Sequence, residues 1–209
     1  MFLQYLILAP ILIISLSVHE LSHGITAYWL GDDTAKRAGR LTLNPLAHID
    51  WLGLIALFIV HIGWAKPVPI NPYNFKNYKR DTAITAAAGP VSNFIMAVFA
   101  SLLLRFILNY GMSVNVLIFA QILKLTVFYN LALGLFNLIP FPPLDGSKII
   151  GGFLSHRAYA AYTAQEKKGM QIFMIIMMLS WMFHWNLIGS FIDKPLHFLL
   201  KLLIGNIPL

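Results

Sequence analysis

IISLSVHELSHGITAYWL, residues 13–30, combines two properties that rarely share a stretch of chain. It belongs to an apolar run from Phe2 to Leu30, and a bilayer crossing needs about 20 mostly apolar residues. Yet it holds His19, Glu20 and His23 within five positions. Ionisable groups inside a span are costly and mark function. On a helix, positions i and i+4 share a face, so both imidazoles can reach one ion. Glu20 lies about 100° round the helix from His19. It is too close to ligate comfortably beside both histidines, but it suits a base acting on a water at the metal. With seven His and two Glu in 209 residues, random placement gives roughly 0.002 such HExxH matches.

The rest of the composition agrees with a bilayer as solvent. The chain is 58% hydrophobic and 11% charged, against about 25% charged in a typical soluble domain. Mean hydropathy is +0.72. The absence of cysteine excludes disulfides, thiolate metal sites and a cysteine nucleophile. The net charge of +7 would suggest nucleic acid in a soluble protein. Here it is read as basic loops facing anionic lipid, with no nucleic-acid partner. The first 17 residues hold no charge, so the N-terminus is read as a retained span rather than a signal peptide.

Thr82–Leu108 and Val114–Leu138 are two further clear spans. The run 49–64 is short and carries Asp50 and His61, which suits a tilted or re-entrant segment. Lys66–Arg80 contains Pro67, Pro69 and Pro72, which excludes a helix through its middle. Residues 139–168 read as a loop opened by Pro140, Pro142 and Pro143. Met170–Trp185 is apolar; its methionines suit lipid contact and packing better than metal. Leu187–Leu203 is apolar but split by Asp193, Lys194 and Pro195. The expected fold class is an all-α polytopic membrane protein of about five to six transmembrane or half-spanning helices. A re-entrant β-hairpin or loop is expected near the active site. If 49–64 does not cross, 11 of the 15 Lys and Arg fall in the loops 31–81 and 139–169. The positive-inside rule then puts both loops in the cytoplasm and the N-terminus outside.

A catalytic zinc usually has three protein ligands. The third is open among Asp32, Asp33, Asp50, Asp81, Asp145, Glu166, Asp193 and another histidine. Asp145 stands out, in PPLDG just past a span, although an Asp-Gly in a loop is commonly a plain turn. Spacing does not choose it. Asn44 and His48 are candidates for substrate binding. His48 could also support a ligand, bind the metal, or be an interfacial loop histidine. Gly89-Pro90 is a candidate close-packing kink. His61, His156, His184 and His197 are read as structural or interfacial.

HELSH at 19–23 inside a span, GPVSN at 89–93 and NLIPFPPLDG at 137–146 occur in that order. Together they resemble the site-2 proteases, a family of intramembrane zinc metalloproteases. NPLAHID at 44–50 and GWAKPVPINP at 63–72 are similar to its small bacterial branch. The resemblance covers about residues 1–150 and is carried chiefly by the paired HExxH and NxxPxxPLDG blocks. It implies one Zn2+ per chain held by His19, His23 and Asp145, with Glu20 as general base. It also implies that Asn137 holds the substrate backbone or the oxyanion. Better-known branches have a PDZ-type insertion or a C-terminal regulatory domain, and neither is found here. Residues 1–209 are read as one integral-membrane protease domain, with a core at about 1–150 and C-terminal membrane helices at about 169–205.

The expected function is hydrolysis of peptide bonds within or next to transmembrane segments of membrane proteins. The substrate helix must unwind, since helical carbonyls are hydrogen-bonded. The freed strand could add to an extended edge within Lys66–Asn74. The expected location is a bacterial cell membrane, with the site toward the cytoplasm. The alternative is a metal transporter or sensor using the same ligands. The spans Thr82–Leu108 and Val114–Leu138 hold no His, Asp or Glu, which counts against a conduction path. An inactive scaffold is a third reading, against which the intact HExxH argues.

Overall fold

The computed structural model describes residues 2–60, 65–109, 111 and 113–205 of the chain. Among them it is helical, with no strand. In order come α1 (Phe2–Trp29), α2 (Thr34–Arg37), α3 (Trp51–Val60), α4 (Tyr78–Leu108) and α5 (Val114–Asn137). Then follow α6 (Asp145–Phe153), α7 (His156–Ala164), α8 (Glu166–Met182) and α9 (Leu187–Ile204). Three of these helices, α1, α4 and α5, are long and apolar enough to cross a membrane. At 31 residues, α4 is about 46 Å long and exceeds a hydrocarbon core of about 30 Å.

The packing is that of a protein in lipid. Large apolar side chains point outward on α4 and α5, among them Ile95, Phe99, Leu102, Phe106, Ile118 and Phe119. Polar side chains are hidden inside: Ser15, Asn93 and Asn130 are 0% exposed. Small residues let the helices approach, as is usual where lipid removes the hydrophobic drive. Ala97 and Ala100 of α4 meet Ala120, Val127 and Leu131 of α5 in the core. Hydroxyls within the spans bond back to their own helix, Ser17 to the Ile13 carbonyl and Ser22 to that of Val18, both at 2.7 Å. Both hydroxyls are thereby kept from facing hydrocarbon without an acceptor.

Two readings of the C-terminal half change. Residues 139–168 hold α6 and α7, because the prolines end at Pro143 and leave 145–164 free to wind. The prolyl segment itself is a pair of tight turns, Phe141 N–H to Ile139 O at 2.7 Å and Leu144 N–H to Phe141 O at 2.9 Å. Nor does Pro195 split the last helix. α9 runs through it and buries Leu196, Leu200 and Ile204 in the α4–α5 core. A proline forfeits one backbone bond, which a buried apolar stripe outweighs. Met170, Met174 and Met178 are about half exposed on α8.

The ten residues of α3 span about 15 Å, half a bilayer core. His61 and the end of the 49–64 run lie outside the described residues. Ile49, which opens the run, and Ala65, just past its end, form an antiparallel bridge, and Lys66 N–H donates to the His48 carbonyl at 2.9 Å.

Candidate metal centre

His19 and His23 sit one turn apart on α1 with their rings edge to face, centroids 4.6 Å apart. Each Nδ1 is tied to α4. His19 Nδ1 lies 2.6 Å from Asn93 Oδ1, and His23 Nδ1 lies 2.7 Å from the Thr85 carbonyl. A carbonyl only accepts, so Nδ1 carries the hydrogen and Nε2 keeps its lone pair. Both Nε2 atoms point at Asp145, the first residue of α6. Its Oδ2 lies 3.2 Å from His19 Nε2 and 3.3 Å from His23 Nε2, and the two nitrogens are 3.1 Å apart.

Three lone-pair atoms thus face one another, all on buried side chains. Asp145 Oδ2 is buried and receives no hydrogen bond. Such a cluster repels itself unless a cation lies within it. The edges match a tetrahedral ion with bonds of about 2.0 Å, which places donor atoms about 3.3 Å apart. Two imidazoles and a carboxylate are a zinc donor set. Two glycines make the approach possible. A Cβ at Gly89 would lie 2.4 Å from His23 Nε2 and 2.6 Å from His19 Nε2. A Cβ at Gly146 would lie 2.2 Å from the Leu138 carbonyl oxygen. The Asp-Gly pair is therefore where α6 starts against the end of α5, and this contact aims Asp145 inward.

Glu20 is half-buried beside the cluster, and its Oε2 accepts the Val68 N–H at 2.8 Å. Val68 belongs to an extended segment, 65–71, held at three more points. Arg40 Nη2 donates to the Lys66 carbonyl at 2.8 Å, Ala65 bridges to Ile49, and Asn71 N–H donates to Asp32 Oδ2 at 2.7 Å.

Most of the other third-ligand candidates are engaged elsewhere. Asp33 pairs with Arg37, Asp50 caps α3 through the Gly53 N–H, Asp81 holds Arg80 and the Asn77 N–H, and Asp193 receives Asn186. Glu166 is exposed in the first turn of α8. Asp32 is fully buried and gathers Thr34, Asn71 and Asn74. Burial pushes its carboxyl up, but these hydrogen bonds outweigh it and hold it below the usual carboxylate range. Its stabilising effect is therefore present above about pH 4 and is lost as pH falls through the lowered folded-state value. Asp32→Asn is expected to cost at least about 2 kcal/mol. In detergent its thermal midpoint should lie well below that of the native protein near neutral pH, with the gap closing under acid.

Asn137 is half-buried at the end of α5, its Nδ2 donating to the Leu133 carbonyl at 3.0 Å. Asn44 is exposed and caps a 3-10 turn through the Leu46 N–H at 3.1 Å. His48 is 2% exposed with Nε2 2.8 Å from the Thr42 carbonyl. None of the three bonds to the His19–His23–Asp145 group among the described residues. Asn93 and Thr85 were missed by sequence reasoning. Asn93 was within reach, as the last residue of GPVSN; the Thr85 carbonyl left no signal.

The profile described as peptidase family M50 matches residues 106–180. YwhC of Bacillus subtilis, described as a candidate zinc metalloprotease, is 40% identical over 177 residues, covering 83% of this chain and 80% of its own. Rip2 of Mycolicibacterium smegmatis, described likewise, is 29% identical over 177 residues, covering 83% and 67%. Rip2 of Mycobacterium tuberculosis is 27% identical over 174 residues, covering 80% and 64%. No solved structure matches significantly.

Proposed function

Because the chain belongs to peptidase family M50, the site-2 proteases, we propose that this integral-membrane zinc metalloprotease cleaves peptide bonds within or next to transmembrane segments of other membrane proteins. His19, His23 and Asp145 hold the zinc and Glu20 is the general base. The observation that carries the reading is the convergence of three lone-pair atoms at 3.1–3.3 Å between α1 and α6. When bound, zinc supplies Lewis acidity to the attacking water and to the scissile carbonyl. Glu20 keeps Oε2 on the Val68 N–H and uses Oε1 to take the water's proton and pass it to the leaving amine. The unwound substrate pairs with the extended segment at 66–70. Asn137, at the end of α5, is proposed to meet the substrate backbone, ahead of Asn44 and His48.

We place the site toward the cytoplasmic side of a bacterial cell membrane. The basic loops between α1 and α4 and after α5 support this. α8 and α9, at 17 and 18 residues, are proposed as two further membrane-embedded helices. α3 is proposed to re-enter rather than cross, for which its length and the Ile49–Ala65 bridge speak. Metal analysis of purified protein tests the site. Native protein should hold about one zinc per chain and Asp145→Ala below about 0.2 after dialysis. Equal stoichiometry and affinity in the two would remove Asp145 from the ligand set.

A further inference from the structure

The ligand His19 is held differently from His23. His23 donates to a backbone carbonyl, which allows one arrangement only. His19 meets a side-chain amide, which can present either its oxygen or its NH2 group. The two orientations of Asn93 have the same shape, so packing does not choose between them. With NH2 toward the ring, Nδ1 would have to accept. The hydrogen would then sit on Nε2 and block the lone pair that binds metal.

The choice is made one helix further away. Asn93 Nδ2 donates to Asn130 Oδ1 at 2.9 Å. Asn130 Nδ2 lies 2.9 Å from the Thr126 carbonyl on its own helix. That carbonyl has no hydrogen to give, so Asn130 must turn NH2 toward it and oxygen toward Asn93. Asn93 must then offer NH2 to Asn130 and oxygen to His19. Asn130 Nδ2 also lies 2.9 Å from Ser15 Oγ. A hydroxyl can accept or donate, so Ser15 does not decide the direction. Asn93 and Asn130 are both 0% exposed.

Resting on the zinc-site reading, we infer that Asn130 is a positioning residue: acting through Asn93, it keeps His19 in the tautomer that binds metal. Neither the HExxH motif nor the PPLDG block contains it. It is a polar residue in the middle of an apolar span.

Zinc competition with a chromophoric chelator, and the visible spectrum of the Co2+-loaded protein, test this on purified full-length chain in detergent. Asn130→Ala should weaken zinc binding by ~10–100-fold and alter the Co2+ bands. Ser15→Ala should stay within about threefold of native, since Thr126 still orients the amide. A carboxylate at position 93 accepts from His19 however it turns. Asn93→Asp in the Asn130→Ala background should therefore recover most of the lost affinity. An Asn130 that merely joins helices would lower the thermal midpoint of metal-free protein, leave zinc affinity unchanged and show no rescue; that result overturns the inference. If Asn130→Ala does not fold, Asn130→Leu, apolar and of similar size, takes its place with the same expected result. Native protein that binds no zinc would sink the metal site and the relay together. Native binding with unchanged affinity in the Asn130 variants would sink the relay alone.

Discussion

Glu20→Gln should keep its zinc and its fold while hydrolysis of a transmembrane peptide substrate falls by ~10²–10⁴-fold. The reason lies in the two carboxylate oxygens. Oε2 accepts the Val68 N–H at 2.8 Å, and the amide oxygen of glutamine can do the same, so the extended segment stays attached to α1. An amide cannot take a proton from water at neutral pH, so the transfer stops. Glu20 does not join the three-atom ligand group, and metal content should match native protein. The measurement is paired: zinc per chain by elemental analysis, and cleavage of a membrane substrate in detergent or vesicles. Cleavage near the native rate would remove Glu20 as the base. A variant that changes metal flux, from a native protein that yields no peptide product, would favour the transporter reading.

Gly89→Ala should be comparably severe by a different route. Its Cβ would lie 2.4 Å from His23 Nε2 and 2.6 Å from both His19 Nε2 and Cε1, too close for any carbon. The rings have little room to yield, because their Nδ1 atoms are fastened to Asn93 and Thr85 on the same helix as Gly89. Relief must come from α4 backing away from α1, which breaks those bonds and spreads the ligand atoms. Zinc affinity should fall by at least ~100-fold. The apo protein loses less: overpacking costs about 1–3 kcal/mol, against nearly 1 kcal/mol gained from helix propensity. Metal-free thermal midpoints should therefore shift modestly while the zinc-induced rise disappears. Native zinc affinity in Gly89→Ala would mean that α4 does not pass over the ligand atoms.

Much of the helical frame could be read beforehand, and the exceptions share a cause. α1, α4 and α5 follow from apolar runs long enough to cross a bilayer, a constraint that leaves the backbone little choice. The sequence predicts a loop where α6 and α7 form, because prolines dominate the preceding segment; their effect ends at Pro143. The sequence predicts a break at Pro195 within α9, yet the stripe of Leu196, Leu200 and Ile204 finds a partner surface that only the assembled α4 and α5 provide. Local breakers lose where burial against a distant element outweighs them.

The chemistry divides the same way. In the proposed site, His19, Glu20 and His23 are legible in the sequence alone, because one helical turn sets their spacing and the apolar surroundings make a passive role costly. Their number left the ligand set one short. Seven further acidic residues are scattered over the chain, and spacing does not rank them. The tertiary structure separates them by partner: Asp32 collects four donors at the end of α1, while Asp145 alone is carried against both imidazoles by the contact of Gly146 with the end of α5. It also decides which nitrogen of each histidine is free for metal. That depends on a backbone carbonyl at Thr85 and on amides at Asn93 and Asn130. These are donors and acceptors 37 to 74 residues apart in the chain, where direction of bonding, not residue type, sets the outcome.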